Sequence, residues 1–219
     1  MYILKKILML GLAVIIISVP GTTATAKEGE LRIGWSEKIG TLDPQNHFDV
    51  IYWGAMINVL EPLIFTDENG SLKPMLAKSW TRLDDVTWEF KLRKGIKFHN
   101  GEPFNAEAVK YTYNRITRPD VVQSFMWAPT ETGGIKRVEV VDDYTVRIIT
   151  PAPFGVLLSN MPLTFIMPPK ASERGEFGIG TGPFKVVDFG IQKGVFLEAN
   201  SDYWGGAPKL AKAAFVPIM

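Results

Sequence analysis

The chain has no cysteine in its 219 residues. That excludes disulfides, thiolate nucleophiles, cysteine metal sites and the lipid-modified cysteine that tethers many exported proteins to a membrane. Histidine is almost as scarce, at two residues, His47 and His99. His99 and Glu102 lie too close together in one turn for a His-Glu-x-x-His metal helix, and the sequence contains no such motif. No Gly-x-Ser-x-Gly elbow or supported Ser/His/Asp set occurs. Gly178-Ile-Gly-Thr-Gly182 lacks the Lys-Ser/Thr of a phosphate loop and the spacing of a dinucleotide loop, and reads as a turn. No fixed-period repeat, low-complexity tract or basic run occurs. With a formal net charge of +1, the chain lacks the electrostatic footprint of a nucleic-acid binder.

One long apolar run exists, Ile7 to Val19, behind Lys5 and Lys6. It is too short for a comfortable membrane span, is broken by Pro20-Gly21, and is followed by the small-x-small triplet Ala24-Thr25-Ala26. These features predict a signal peptide over residues 1–26 and a mature chain starting at Lys27. Removing Lys5 and Lys6 shifts the formal net charge from +1 to −1. A freely diffusing periplasmic monomer without a lipid anchor is the expectation. The length remaining is enough for one or two domains. The apolar stretch Ala213 to Met219 reads as a strand without a polar tail.

Within residues 27–219, Leu31 to Trp35 alternates as a strand, and Thr41-Leu-Asp-Pro44 as a turn. Asp49 is placed to cap a helix from Val50, with Tyr52, Met56, Val59 and Leu60 on one face. Asp67 to Gly70 reads as a hairpin turn. Val86, Trp88, Phe90 and Leu92 give a half-buried strand, and Ile96 to His99 a short one between two glycine turns. Asn105 should cap a helix through Ile116, with Val109, Tyr113 and Ile116 inward. A hairpin follows over Val138–Val141 and Tyr144–Ile149, then an apolar helix from Phe154 to Met161. Strands are expected at Phe184–Val187 and Val195–Ala199. The irregular alternation predicts a mixed α/β fold with a partly antiparallel subdomain. That subdomain, residues 66–176, would be inserted between residues 27–65 and 177–219, which would join into one sheet.

Lys73-Pro-Met-Leu-Ala-Lys-Ser-Trp80, the run Thr87 to Val109 with Phe98-His-Asn-Gly101, and Gly180-Thr-Gly-Pro-Phe184 together resemble the signature of the extracytoplasmic solute-binding proteins of family 5. These serve the peptide, nickel and glutathione ABC importers. The resemblance covers roughly residues 30–218. It implies a lobe of the type II periplasmic-binding-protein kind, lacking its second lobe, so that the chain reads as an N-terminal fragment. It further implies capture of a small solute, a peptide first among the candidates, and delivery to permease subunits. No catalytic residue, metal or cofactor is implied. Relatives carry an acid where Ala108 stands; Glu107, one position earlier, can serve the helix dipole instead.

The resemblance makes Trp80, Trp88 and Trp204 scaffold residues and His99 a structural one. It points to Phe48, Trp53, Trp127 and Met161 as candidates for ligand contact. Two other readings stay open: an exported hydrolase, which needs a nucleophile or metal set, and a ligand-free structural module.

Overall fold

The structure is a computed structural model that describes residues 29–47 and 50–218. The expected signal segment, Phe48 and the helix cap Asp49 lie outside the described residues. Among the described residues no helix is long and apolar enough to cross a membrane.

Two four-stranded sheets organise the chain. The first draws β1 (Glu30–Trp35) from the start and β8 (Phe184–Gly190), β9 (Gly194–Ala199) and β10 (Lys212–Pro217) from the end, in the order β1-β10-β9-β8. β1 runs parallel to β10, with Ile33 opposite Phe215; the other pairs are antiparallel. The second sheet is antiparallel, in the order β4-β5-β7-β6, from β4 (Ala77–Arg82), β5 (Thr87–Leu92), β6 (Arg137–Asp142) and β7 (Thr145–Ile149). A short hairpin of β2 (Ile64–Thr66) and β3 (Leu72–Pro74) links them. Its turn forms because the Asp67 carboxylate accepts from the Asn69 and Ser71 amides, while Gly70 takes a φ of 75° that suits glycine.

Each sheet has its own apolar core. α1 (Val50–Met56) and the turn after it bury Tyr52, Met56, Val59 and Leu60 against Leu197 and Phe215 of the first sheet. α2 (Ala106–Ile116) buries Val109, Tyr113 and Ile116 with Phe90, Val146 and Ile148 of the second. Its start is fixed as the sequence predicts: Asn105 accepts from the Ala108 amide at 3.2 Å, and Glu107 sits in the first turn. Ala108 is wholly buried.

Three local readings differ. Residues 96–99 form no strand, only an isolated bridge between Lys97 and Pro103, because Gly95 and Gly101, at φ 78° and 86°, turn the chain back too soon for a ladder. The helix expected over 154–161 shrinks to α4 (Leu157–Asn160) and a 3₁₀ turn, Met161–Leu163. The segment around Trp127, to which the sequence pattern assigns no element, contains α3 (Ser124–Trp127). A last short helix, α5 (Pro169–Glu173), had no signal in the pattern.

The two sheets meet at a glycine turn. A Cβ on Gly180 would lie 1.9 Å from the Val59 carbonyl oxygen, and one on Gly182 2.7 Å from it. Only glycine permits this approach, which the Gly182 amide uses to donate to Val59 at 3.0 Å. His99 holds the same turn from the other side. The Gly180 amide donates to Nδ1 at 3.2 Å and Nε2 donates to the Gly182 carbonyl at 3.0 Å. This pattern requires the neutral ring with its proton on Nε2, and burial pushes the His99 pKa down in the same direction. Both nitrogens are therefore occupied by backbone.

Candidate functional site

The best-built surface outside this junction surrounds the start of α1. Asp43, 3% exposed, accepts from Arg115 at the end of α2 (Nη1 at 3.0 Å), and the same Arg115 nitrogen donates to Gln45 at 2.7 Å. Gln45 in turn donates to the Thr112 carbonyl at 2.9 Å. From the other side, Gln123 donates to the carbonyls of Pro44 and His47, each at 3.0 Å, and Asn46 accepts from the Val122 amide at 3.1 Å. A segment without regular structure is thereby pinned to α2 and the entry to α3.

What this segment presents is aromatic and apolar. The His47 ring stacks on Tyr52, with centroids 4.6 Å apart. Trp53, half-buried, lies 4.8 Å from Phe165 at a tilt of 36°. Val50 in α1 and Val122 and Phe125 at the entry to α3 are exposed, Phe125 at 68%. Exposed apolar side chains of this kind can bury an apolar ligand group at about 25 cal/mol per Å². Among the described residues no group of three or more acidic or histidine side chains is placed to hold a metal ion.

The four predicted contact residues separate. Trp53 belongs to this wall. Phe48 adjoins it in sequence but lies outside the described residues. Trp127 and Met161 are both wholly buried. The α3 turn lays Trp127 edge-on against Tyr113, centroids 5.5 Å apart, and Met161 joins the same core. Neither side chain offers surface to a ligand in this conformation. The expected scaffold tryptophans Trp80, Trp88 and Trp204 are, conversely, only partly buried at the core's margin. Sequence reasoning missed Phe165, Gln123 and the Asp43–Arg115 pair, which join positions far apart in the chain.

Sequence reasoning also missed the role of Glu61. This carboxylate is 2% exposed and accepts from Thr181 Oγ1 at 2.7 Å, Tyr203 OH at 2.7 Å and Trp204 Nε1 at 2.8 Å. Burial raises its pKa, and the three hydrogen bonds oppose that shift. It ties the glycine turn to the Asp202-Tyr-Trp-Gly-Gly206 loop and faces no open surface, so it belongs to the scaffold.

Comparison with known proteins gives a consistent result. Residues 71–219 match the family model of bacterial extracellular solute-binding proteins, family 5 middle. The glutathione-binding protein GsiB of Salmonella choleraesuis is 30% identical over 98% of this chain and 42% of its own length. The nickel-binding periplasmic protein of Escherichia coli K12 is 30% identical over 87% of this chain and 37% of its own. Among solved structures, MoaA from A. tumefaciens R10, in complex with mannopinic acid, superposes with a TM-score of 0.78 at 29% identity, covering 87% of this chain and 41% of that one. The oligopeptide-binding protein AppA of Bacillus subtilis, in complex with a nonapeptide, gives 0.73 at 25% identity, covering 87% and 40%. The chain thus spans about two fifths of the length of the relatives it matches, and its mixed α/β fold is that of one part of a periplasmic-binding-protein type II structure. The chain belongs to family 5 of the bacterial extracellular solute-binding proteins.

Proposed function

We propose that this chain is the solute-capturing component of an ABC importer. It works in the periplasm after removal of residues 1–26, takes up a small solute, a peptide first among the candidates, and passes it to permease subunits without altering it. Residues 66–176 act as a subdomain inserted into the lobe whose sheet is built from 27–65 and 177–219; the β2–β3 hairpin then straddles that boundary. In this reading Trp53 and His47, with the neighbouring Phe48, contact the solute; Phe165 packs behind Trp53, and Trp127 and Met161 serve as core packing of the second sheet. A second wall, from a second lobe, closes over the solute by rigid-body rotation, and the permease reads the closed form.

The observation that carries the reading is the construction of the wall. Its aromatic face is held by a dedicated, buried polar network, which is effort without purpose for an ordinary surface loop. The relatives named for glutathione, nickel and peptides keep the solute class wide, and the apolar character of the wall favours a peptide.

Isothermal titration of residues 27–219 with glutathione, a mixed tripeptide pool and a nickel–histidine complex tests it. One wall alone should bind more weakly than micromolar and return every compound unchanged. Micromolar affinity would remove the need for a second wall, and hydrolysis of any compound would favour an exported hydrolase.

A further inference from the structure

Away from that wall, two adjoining hollows of about 400 and 420 Å³ share Ile96 and Trp204 as a common floor. Lys97 and Lys185 line the first; Lys78, Arg93 and Lys94 line the second. Asp202 is the single carboxylate lining either one. The whole chain is nearly neutral, at +1, so this excess of positive charge is local.

Arg93 is already engaged. Its guanidinium lies 4.8 Å from the Trp204 ring centroid, its Nε donates to the Met75 carbonyl at 2.6 Å, and it feels the charge of Glu61 behind that ring. Lys94 rests over Tyr144 at 5.3 Å. The ammonium groups of Lys78, Lys94, Lys97 and Lys185 form no ion pair among the described residues. Elsewhere the protein pairs its cations readily: Lys73 with Asp67, Lys91 with Glu89 and Lys193 with Asp188.

The fold brings these lysines together from β4, from the turn after β5 and from β8. Gathering like charges costs free energy by repulsion, and a bound anion relieves it. The apolar floor of Ile96 and Trp204 lowers the local dielectric and strengthens the attraction. Lysine acts as a point charge toward oxyanions and tolerates several geometries.

We propose that this groove binds a small polyvalent oxyanion, a polycarboxylate or a phosphate. It shares no lining residue with the wall at Trp53, so the proposal stands or falls apart from the transport reading. The test is calorimetric titration of the chain with citrate and with inorganic phosphate, at low and at physiological salt. At least one anion should bind, more weakly at the higher salt. Lys97→Glu/Lys185→Glu should weaken binding at least about tenfold. Lys78→Glu/Lys94→Glu should also weaken it, and serves if the first variant fails to fold; Lys136→Glu, outside the groove, should change nothing. Absence of binding for both anions, or undiminished binding in both double variants, would overturn the proposal. So would binding of a hexaglutamate peptide where citrate and phosphate fail, since the groove would then be a docking surface for an acidic protein segment.

Discussion

The indole N–H of Trp204 donates to the Glu61 carboxylate at 2.8 Å, across 143 positions of sequence. With Thr181 and Tyr203 on the same carboxylate, this contact binds three distant segments at one buried anion. Replacing Glu61 by alanine strands those donors. Each buried group left unpaired costs about 1–3 kcal/mol, and Tyr203 and Trp204 recover part of that from water. Glu61→Ala should therefore lose about 2–4 kcal/mol in urea unfolding, and Glu61→Gln, which keeps an acceptor, clearly less.

The same carboxylate gives a pH signature. Burial raises the folded pKa of Glu61 above its ordinary 4.5. As pH rises past 4.5 the unfolded chain ionises first, so the folded state holds the extra proton. The stability linked to the protonated form is complete below that pH and is lost as pH rises through the folded value. Asp67, Asp84, Glu89, Asp120, Asp142 and Glu176, shifted down, act oppositely but equally in both proteins. The stability of wild type minus that of Glu61→Gln should accordingly fall as pH rises above 4.5, measured by urea unfolding at each pH. A rising difference would show that the hydrogen bonds outweigh desolvation.

Glycine at 180 is required by contact. An alanine Cβ would sit 1.9 Å from a carbonyl oxygen that already accepts the Gly182 amide. Gly180→Ala should cost about 2–4 kcal/mol, at or above the upper end of over-packing effects. Gly155, with open space around the added carbon, should tolerate alanine within about 0.5 kcal/mol. Paired thermal melts of the two variants check this.

Arg115 holds the segment under the candidate wall. Arg115→Ala leaves Asp43, whose side chain is 4% exposed, as a buried charge without its partner. The expected loss is about 3–5 kcal/mol. Proteolysis should then cut between residues 43 and 47 faster than in wild type. Equal stability with unchanged cleavage would show that Gln123 alone suffices.

Much of the fold was legible wherever a period was. Trp88, Phe90 and Leu92 alternate, and Val109, Tyr113 and Ile116 follow a helical face behind a good cap. β4 escaped because it is an edge strand, and Lys78, Ser79, Thr81 and Arg82 face solvent. The burial of Trp127 escaped because a helix of four residues has no period to read. The family motifs were visible, but what they do was not. His99 grips a turn about 80 positions away, and Glu61 gathers donors more than a hundred positions away. No local pattern encodes those meetings. For the site, aromatic character pointed to Trp53, which the structure leaves half-buried beside Phe165. The same criterion, applied to Trp127, could not distinguish a packed ring from an open one.

The most direct test of a solute-binding wall is the indole N–H spectrum of the isotopically labelled chain during titration with glutathione. Substitution of each tryptophan by phenylalanine assigns the signals. The account predicts that the Trp53 resonance moves progressively, in the millimolar range, while Trp88 and Trp127 stay fixed. A stationary Trp53 beside a shifting resonance elsewhere would contradict it.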